Sequence, residues 1–165
     1  MNLWRWGGVL LAGLLISACG FHLRGKDLLD EHFSRLHVAS DNPHAPLVRA
    51  FKDRLQRYSV EILATADEQV PTVYLYPERL DRSLLSLFAT GQVAEYELNY
   101  HIRFEVKQPG RDAQLFEFDL SREYQDDPNA VLAKSRELNL ILDELRERAS
   151  DRIIRQLSRL SGASN

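Results

Sequence analysis

The sequence predicts a two-layer α/β sandwich, a small mixed sheet covered on one face by two helices, of which the C-terminal one is long. Three observations carry that reading. From Ala94 to Val106, apolar residues alternate without a miss against Glu95, Glu97, Asn99, His101, Arg103 and Glu105, the signature of a long strand with one buried face. Phe116, Phe118, Leu120 and Tyr124 repeat the alternation across residues 114–124, and the intervening Pro109-Gly110-Arg111-Asp112 turn joins the two into an antiparallel hairpin. From Leu138 to Leu160 the apolar positions instead recur every three or four residues, the period of a helix.

The chain has 165 residues and one cysteine. Met1 to Ala18 has the layout of an export signal, with Arg5 as its positive charge and an apolar run from Val9 to Ile16 that is too short to span a bilayer. Ile16-Ser17-Ala18-Cys19 resembles the lipobox of bacterial lipoproteins. That resemblance implies cleavage before Cys19, diacylglycerol on its sulfur and an acyl chain on the new amino terminus. Each buried methylene of such chains adds roughly 0.8 kcal/mol of membrane affinity. The bland alternative is an ordinary signal peptide with a chance cysteine. A lone thiol in an exported chain has no internal disulfide partner, which favours lipidation. Gly20, standing where an aspartate would signal inner-membrane retention, points by the same resemblance to the outer membrane.

Removal of residues 1–18 leaves a length suited to one domain. It takes away one of the 21 basic residues, Arg5, and none of the 24 acidic ones. The negative balance and the lack of a basic run argue against a nucleic-acid partner. The expected organisation is a signal peptide over 1–18, a lipidated tether over 19–32, one α/β domain over 33–160 and a flexible tail over 161–165.

Within the domain, Phe33 to Ala39 reads as a first strand, with Leu36 and Val38 on one side. Pro46 suits a first helical turn, and Leu47, Phe51, Leu55 and Tyr58 mark about three turns of amphipathic helix. Val60 to Leu63 and Val73 to Arg79 read as short strands before the hairpin. Asp126-Asp127-Pro128 is expected to cap and open the last helix, whose stripe is Leu138, Ile141, Leu142, Leu145, Ala149, Ile153, Leu157 and Leu160. About 30 residues at 1.5 Å each give roughly 45 Å, enough to cover the sheet.

Chemistry is sparse. Glu95 and Glu97 would lie about 7 Å apart on one strand face and could pose as an acid/base pair; a solvated sheet face accounts for them better. The five histidines (His22, His32, His37, His44, His101) show no metal-ligand spacing. Glu144 with Arg148, and Asp151 with Arg155, stand at i,i+4 and read as a solvated helix face rather than an anion-binding stripe. Lys134 and Arg111 sit where a helix start and a sheet turn meet loops. Each could contact a phosphate, although both are also ordinary solubility residues.

Four segments taken together resemble the LPS-assembly lipoprotein family, LptE or RlpB. They are Cys19-Gly20-Phe21-His22-Leu23-Arg24, Gly91-Gln92-Val93-Ala94-Glu95-Tyr96, Pro109-Gly110-Arg111-Asp112, and Asp127-Pro128 followed by Leu132-Ala133-Lys134. Their order and spacing match along almost the whole mature chain. The resemblance implies a non-enzymatic outer-membrane lipoprotein, anchored in the inner leaflet, that plugs an LptD-type β-barrel, assists its assembly and binds lipopolysaccharide. No cofactor is implied beyond the lipid on Cys19. Lys134 is the position the family pattern marks for lipopolysaccharide phosphates. A second basic position of the family falls where this chain has Ala89, leaving Arg82 and Arg111 as candidates to replace that charge. The rival readings are a cell-wall enzyme using Glu95 or Glu97, and an assembly lipoprotein of another barrel.

Overall fold

A computed structural model describes residues 29, 31–127 and 130–162. Cys19, the signal segment, most of the tether, Pro128 and residues 163–165 lie outside the described residues. A 3-10 turn, Glu31–Phe33, is followed by β1 (Arg35–Ser40), α1 (Pro46–Arg57), β2 (Glu61–Leu63), β3 (Thr72–Leu75), β4 (Arg79–Leu87), β5 (Val93–Lys107), β6 (Gln114–Gln125) and α2 (Val131–Gly162). The sheet is mixed, as expected. β1 runs parallel to β2 and β3, whereas β5 is antiparallel to β3, β4 and β6.

β5 organises the sheet. β6 pairs along one of its edges from Glu95↔Gln125 to Val106↔Gln114. β3 and β4 share the other edge, end to end. Between Leu75↔Phe104 and Arg79↔His101, residues 76–78 stand opposite only 102 and 103. One extra residue in a strand flips its side chains to the opposite face. Val73 and Leu75 therefore point to the core, but beyond the insertion it is Leu80, Arg82 and Leu84 that share the inner face with β5 partners Tyr100, Leu98 and Tyr96. Pro77, which has no N–H to give, sits in the break.

Both helices cover the face carrying Leu98, Tyr100, Ile102, Phe104 and Val106. The resulting core has Phe33, Leu36, Phe51, Leu55, Val73, Ile153, Ile154 and Leu157 fully buried. Each such side chain is worth about 1.5–3 kcal/mol against exposure. Pro46 occupies the first turn of α1, whose buried face is Leu47, Val48, Phe51 and Leu55. Among the described residues three ion pairs join α2 to other elements, and two of them involve the carboxylates expected to pair along the helix. Asp151 accepts from Arg54 of α1 at 2.5 and 2.9 Å, and Glu144 reaches Arg122 of β6 at 3.9 Å. The i,i+4 pairings expected for these two carboxylates are therefore not formed. Each acid is drawn across to a cation on a neighbouring element.

Element boundaries differ from expectation in four places. Phe33 belongs to the 3-10 turn, where it fills the core, and β1 begins at Arg35. The strand expected over 73–79 ends at Leu75, and β4 is an additional strand. The Asp127 carbonyl accepts from Ala130 N–H in a turn (3.0 Å), and the first helical bond runs from Lys134 N–H to Ala130 O at 2.9 Å. The helix thus opens later than the Asp-Pro pair suggested. At its other end α2 takes in Ser161, which is buried, and Gly162.

Candidate functional site

The strands run between two unlike ends. At the base lie the 3-10 turn, the start of β1 and the β5–β6 turn. At the distal end lie the β4–β5 turn and the start of α2, because Gln125 pairs with Glu95 and Asp126 N–H bonds Ala94 O at 2.9 Å. The ladder between the ends spans about 35 Å.

The distal end exposes apolar side chains that a soluble surface would ordinarily bury. Leu84, Leu87 and Phe88 are 55, 54 and 49% exposed, and on the first turn of α2 Leu132 is 80% exposed. Leu85, at the first register shift of β4, joins them. Phe88 N–H bonds Gln92 O at 2.8 Å, and Gly91 closes the turn at φ 83°, where a side chain would be strained. Apolar residues clustered like this mark contact surfaces.

Cations accompany them. Arg82 lies over the Tyr96 ring at 4.1 Å and donates to Tyr124 Oη at 3.1 Å; Tyr96 and Tyr124 themselves stack at 5.7 Å. The hydrogen bond to Tyr124 raises the Arg82 pKa further above its ordinary value, so the charge is permanent. Lys134, on the first turn of α2, is partly buried and donates to Glu137 at 2.8 Å. That first turn holds no acidic residue. A lysine there opposes the positive end of the helix dipole at a cost of about 0.3–1 kcal/mol. An anion at this end would relieve it.

Arg111 is at the base. Its backbone N–H bonds Gln108 O at 3.2 Å and its guanidinium bonds Gln108 Oε1 at 3.0 Å, within the turn that Gly110 makes at φ 68°. The structure therefore does not bring Lys134 and Arg111 together; Arg82, opposite Leu98 with its guanidinium over Tyr96, lies nearer the distal end than Arg111 does. Cys19 lies outside the described residues.

Sequence reasoning missed one polar cluster. Glu78, in the break between β3 and β4, accepts a bidentate pair from Arg146 of α2 at 3.0 and 3.2 Å, and Tyr100 Oη also donates to it. Arg146 reaches Asp143 at 3.0 Å as well. Burial, then the bond to Glu78, raises the Tyr100 pKa well above the tyrosine range. These groups lock the strand break to the helix. The signal available in the sequence was Pro77-Glu78 interrupting an alternation.

The outer sheet face is mostly polar, with Leu115 of β6 as an exposed apolar exception. His101 is bracketed by Asp119 at 2.6 Å and Asp81 at 3.3 Å. Arg103 lies over the Tyr76 ring at 4.2 Å. Glu95 accepts from Ser86 at 2.8 Å, and Glu97 is within 3.4 Å of Asn99. The two carboxylates are thus tied to neighbours on an open face, with no enclosing cleft around them. Among the described residues no cluster suits a metal ion, and no helix is long and apolar enough to cross a membrane.

The described residues thus form a largely charged sheet face backed by helices, with an exposed apolar and cationic distal end. The comparisons supply the assignment. The model of the LptE lipopolysaccharide-assembly family matches residues 33–157. An LPS-assembly lipoprotein LptE of Pectobacterium atrosepticum is 32% identical over 154 residues, covering 93% of this chain and 84% of its own. One from Photorhabdus laumondii is 32% identical over 147 residues, covering 89 and 81%. Among solved structures, the rare lipoprotein B of Shewanella oneidensis superposes with a TM-score of 0.72 at 39% identity, covering 78% of this chain and 97% of that one. The chain belongs to the LptE lipopolysaccharide-assembly family, a family of non-enzymatic lipoproteins.

Proposed function

We propose that this protein is the outer-membrane lipoprotein subunit of the lipopolysaccharide translocon, lodged in an LptD-type barrel and contacting lipopolysaccharide with its distal end. The supporting observation is the coincidence, toward one end, of Lys134, Arg82 and exposed Leu84, Leu87, Phe88 and Leu132. Lipopolysaccharide presents phosphates beside acyl chains, and this end offers cations beside apolar surface. Arg82 takes the place of the basic residue that Ala89 lacks, whereas Arg111 stands about 35 Å away along the ladder. The polar outer face suits a hydrated barrel lumen, since a lipid-facing surface would be apolar. Cys19 carries the lipid that holds the domain on the periplasmic side of the membrane.

The test is purification in mild detergent of C-terminally tagged protein, wild type and Lys134→Glu. The wild type should recover a large β-barrel in equal amount together with lipopolysaccharide. Lys134→Glu should keep the barrel and lose most of the lipopolysaccharide. Unchanged lipopolysaccharide recovery would remove Lys134 from the contact, and a wild type recovered without a barrel would remove the plug reading.

A further inference from the structure

The free edge of β6 and the groove beside it form a second interaction surface, separate from the distal end. Tyr76 N–H bonds Arg103 O at 3.1 Å, so the odd-numbered residues of β5 direct their backbone groups toward β3 and β4. Asp126 N–H bonds Ala94 O, so the even-numbered ones face β6. In register, the even residues of β6, Phe116, Phe118, Leu120 and Arg122, complete that ladder. Leu115, Glu117, Asp119, Ser121 and Glu123 must then turn their N–H and C=O groups outward, away from the sheet. Arg152 of α2 confirms the direction by donating to Asp119 O at 3.3 Å.

Long edges are normally blunted by proline, lysine, bulges or brevity. β2 is short and β4 is irregular after Leu84. β6 spans Gln114–Gln125 with no proline, no lysine and no break in register; its charges are Glu117, Asp119 and Glu123 on the outer face and Arg122 on the inner face, the last paired with Glu144. Beside it a groove of about 600 Å³ has Phe116, Phe118 and Leu120 as its floor and Arg148, Arg152, Arg155 and Arg159 along its α2 wall. Arg152 is occupied by Phe118, at 4.4 Å, and by the edge carbonyl. Since Asp151 and Glu144 are drawn to Arg54 and Arg122, the other three have no ion-pair partner among the described residues.

We infer that β6 accepts an added strand from a partner polypeptide, whose inward side chains are acidic and meet Arg148, Arg155 and Arg159. Backbone pairing supplies the affinity of such an added strand, and the alternate side chains supply its specificity. A second copy of this chain does not fit. Antiparallel pairing of β6 with itself about Leu120 would set Glu117 against Glu123 on the outer face, and pairing about Asp119 would set that acid against its own copy; facing like charges destabilise a ladder. The acids that would answer the arginines are also missing from the inner face of β6.

The probe is a synthetic peptide alternating glutamate with threonine or valine, titrated by fluorescence anisotropy against the full chain in detergent. Saturable binding is expected. Ser121→Pro removes only an outward N–H, a position where an edge strand tolerates proline, and should weaken binding at least about tenfold, as should Arg155→Glu. Two further peptides, N-methylated at alternate residues in opposite phases, leave the protein untouched; one phase should bind and the other should not. Absence of binding, or equal binding by Ser121→Pro and by both methylated phases, would overturn the inference. Weakening by Arg155→Glu alone would mean an ionic contact without strand addition, and would overturn it equally.

Discussion

The two halves of β5 carry the same alternation into different surroundings. From Leu98 to Val106 every inward residue is buried beneath the helices, against Phe33, Phe51, Ile153 and Leu157. From Val93 to Glu97 burial is only partial, and the β4 partners Leu84 and Leu87 are each about half exposed. Apolar patterning alone therefore does not say what will be covered. In the basal half it builds the core. In the distal half it leaves an apolar surface about half exposed, the surface on which the proposed function rests. The Glu78–Tyr100–Arg146 cluster stands at the boundary, where the strand break turns Leu80 and Leu84 to the inner face.

The largest expected effect separating the halves is at that boundary. Arg146→Ala leaves the largely buried Glu78 carboxylate without its cation, and the loss should be about 3 kcal/mol. A urea titration would read it as a lower midpoint at unchanged slope. A loss below about 0.5 kcal/mol would show that the break is held by packing alone.

A smaller effect concerns Tyr100 at high pH. Burial, then the bond to Glu78, keeps its phenol protonated in the folded chain. The unfolded chain releases that proton near pH 10. Above that pH the unfolded state binds fewer protons, so stability falls by about 1.4 kcal/mol per pH unit until the folded tyrosine titrates in turn. Below pH 10 the contribution is complete. Tyr100→Phe should flatten this alkaline slope in unfolding curves taken between about pH 9 and pH 11. An unchanged slope would assign it to other groups.

The smallest stability change belongs to the distal half. Leu84→Ser with Leu87→Ser removes side chains already in water, so thermal unfolding should shift by no more than about 0.5 kcal/mol while lipopolysaccharide recovery falls. A large loss of stability would make these leucines part of the fold and undo the contrast between the halves.

Where one physical rule acts over many residues, the sequence was sufficient. The β5–β6 hairpin, α1 and the stripe on α2 follow from uninterrupted periods of two and 3.6, and of the buried residues in these elements Val48, Ser150, Ile154 and Ser161 lay outside the expected faces. β4 was not legible because the insertion at 76–78 resets the alternation before the strand begins and two register shifts, after Leu84 and after Ser86, disturb it again near its end. The start of α2 was misplaced because Asp127-Pro128 is good turn chemistry as well as good capping chemistry. For the site, Lys134 came from family resemblance. Its company of Arg82 and exposed leucines required the strand register, and so did the separation of Arg111 from it. The ion pairs of α2 were misread because helical spacing permits Asp151–Arg155, while tertiary packing supplies Arg54 at closer range.

The most direct test of the account is site-specific photocrosslinking to lipopolysaccharide in living cells. A photoreactive residue would replace Leu87 at the distal end or, in a separate strain, Gln69 at the base. The account predicts a lipopolysaccharide adduct at Leu87 and none at Gln69. An adduct at Gln69 with none at Leu87 would contradict it, and would place the contact at the end now assigned to the fold and its tether.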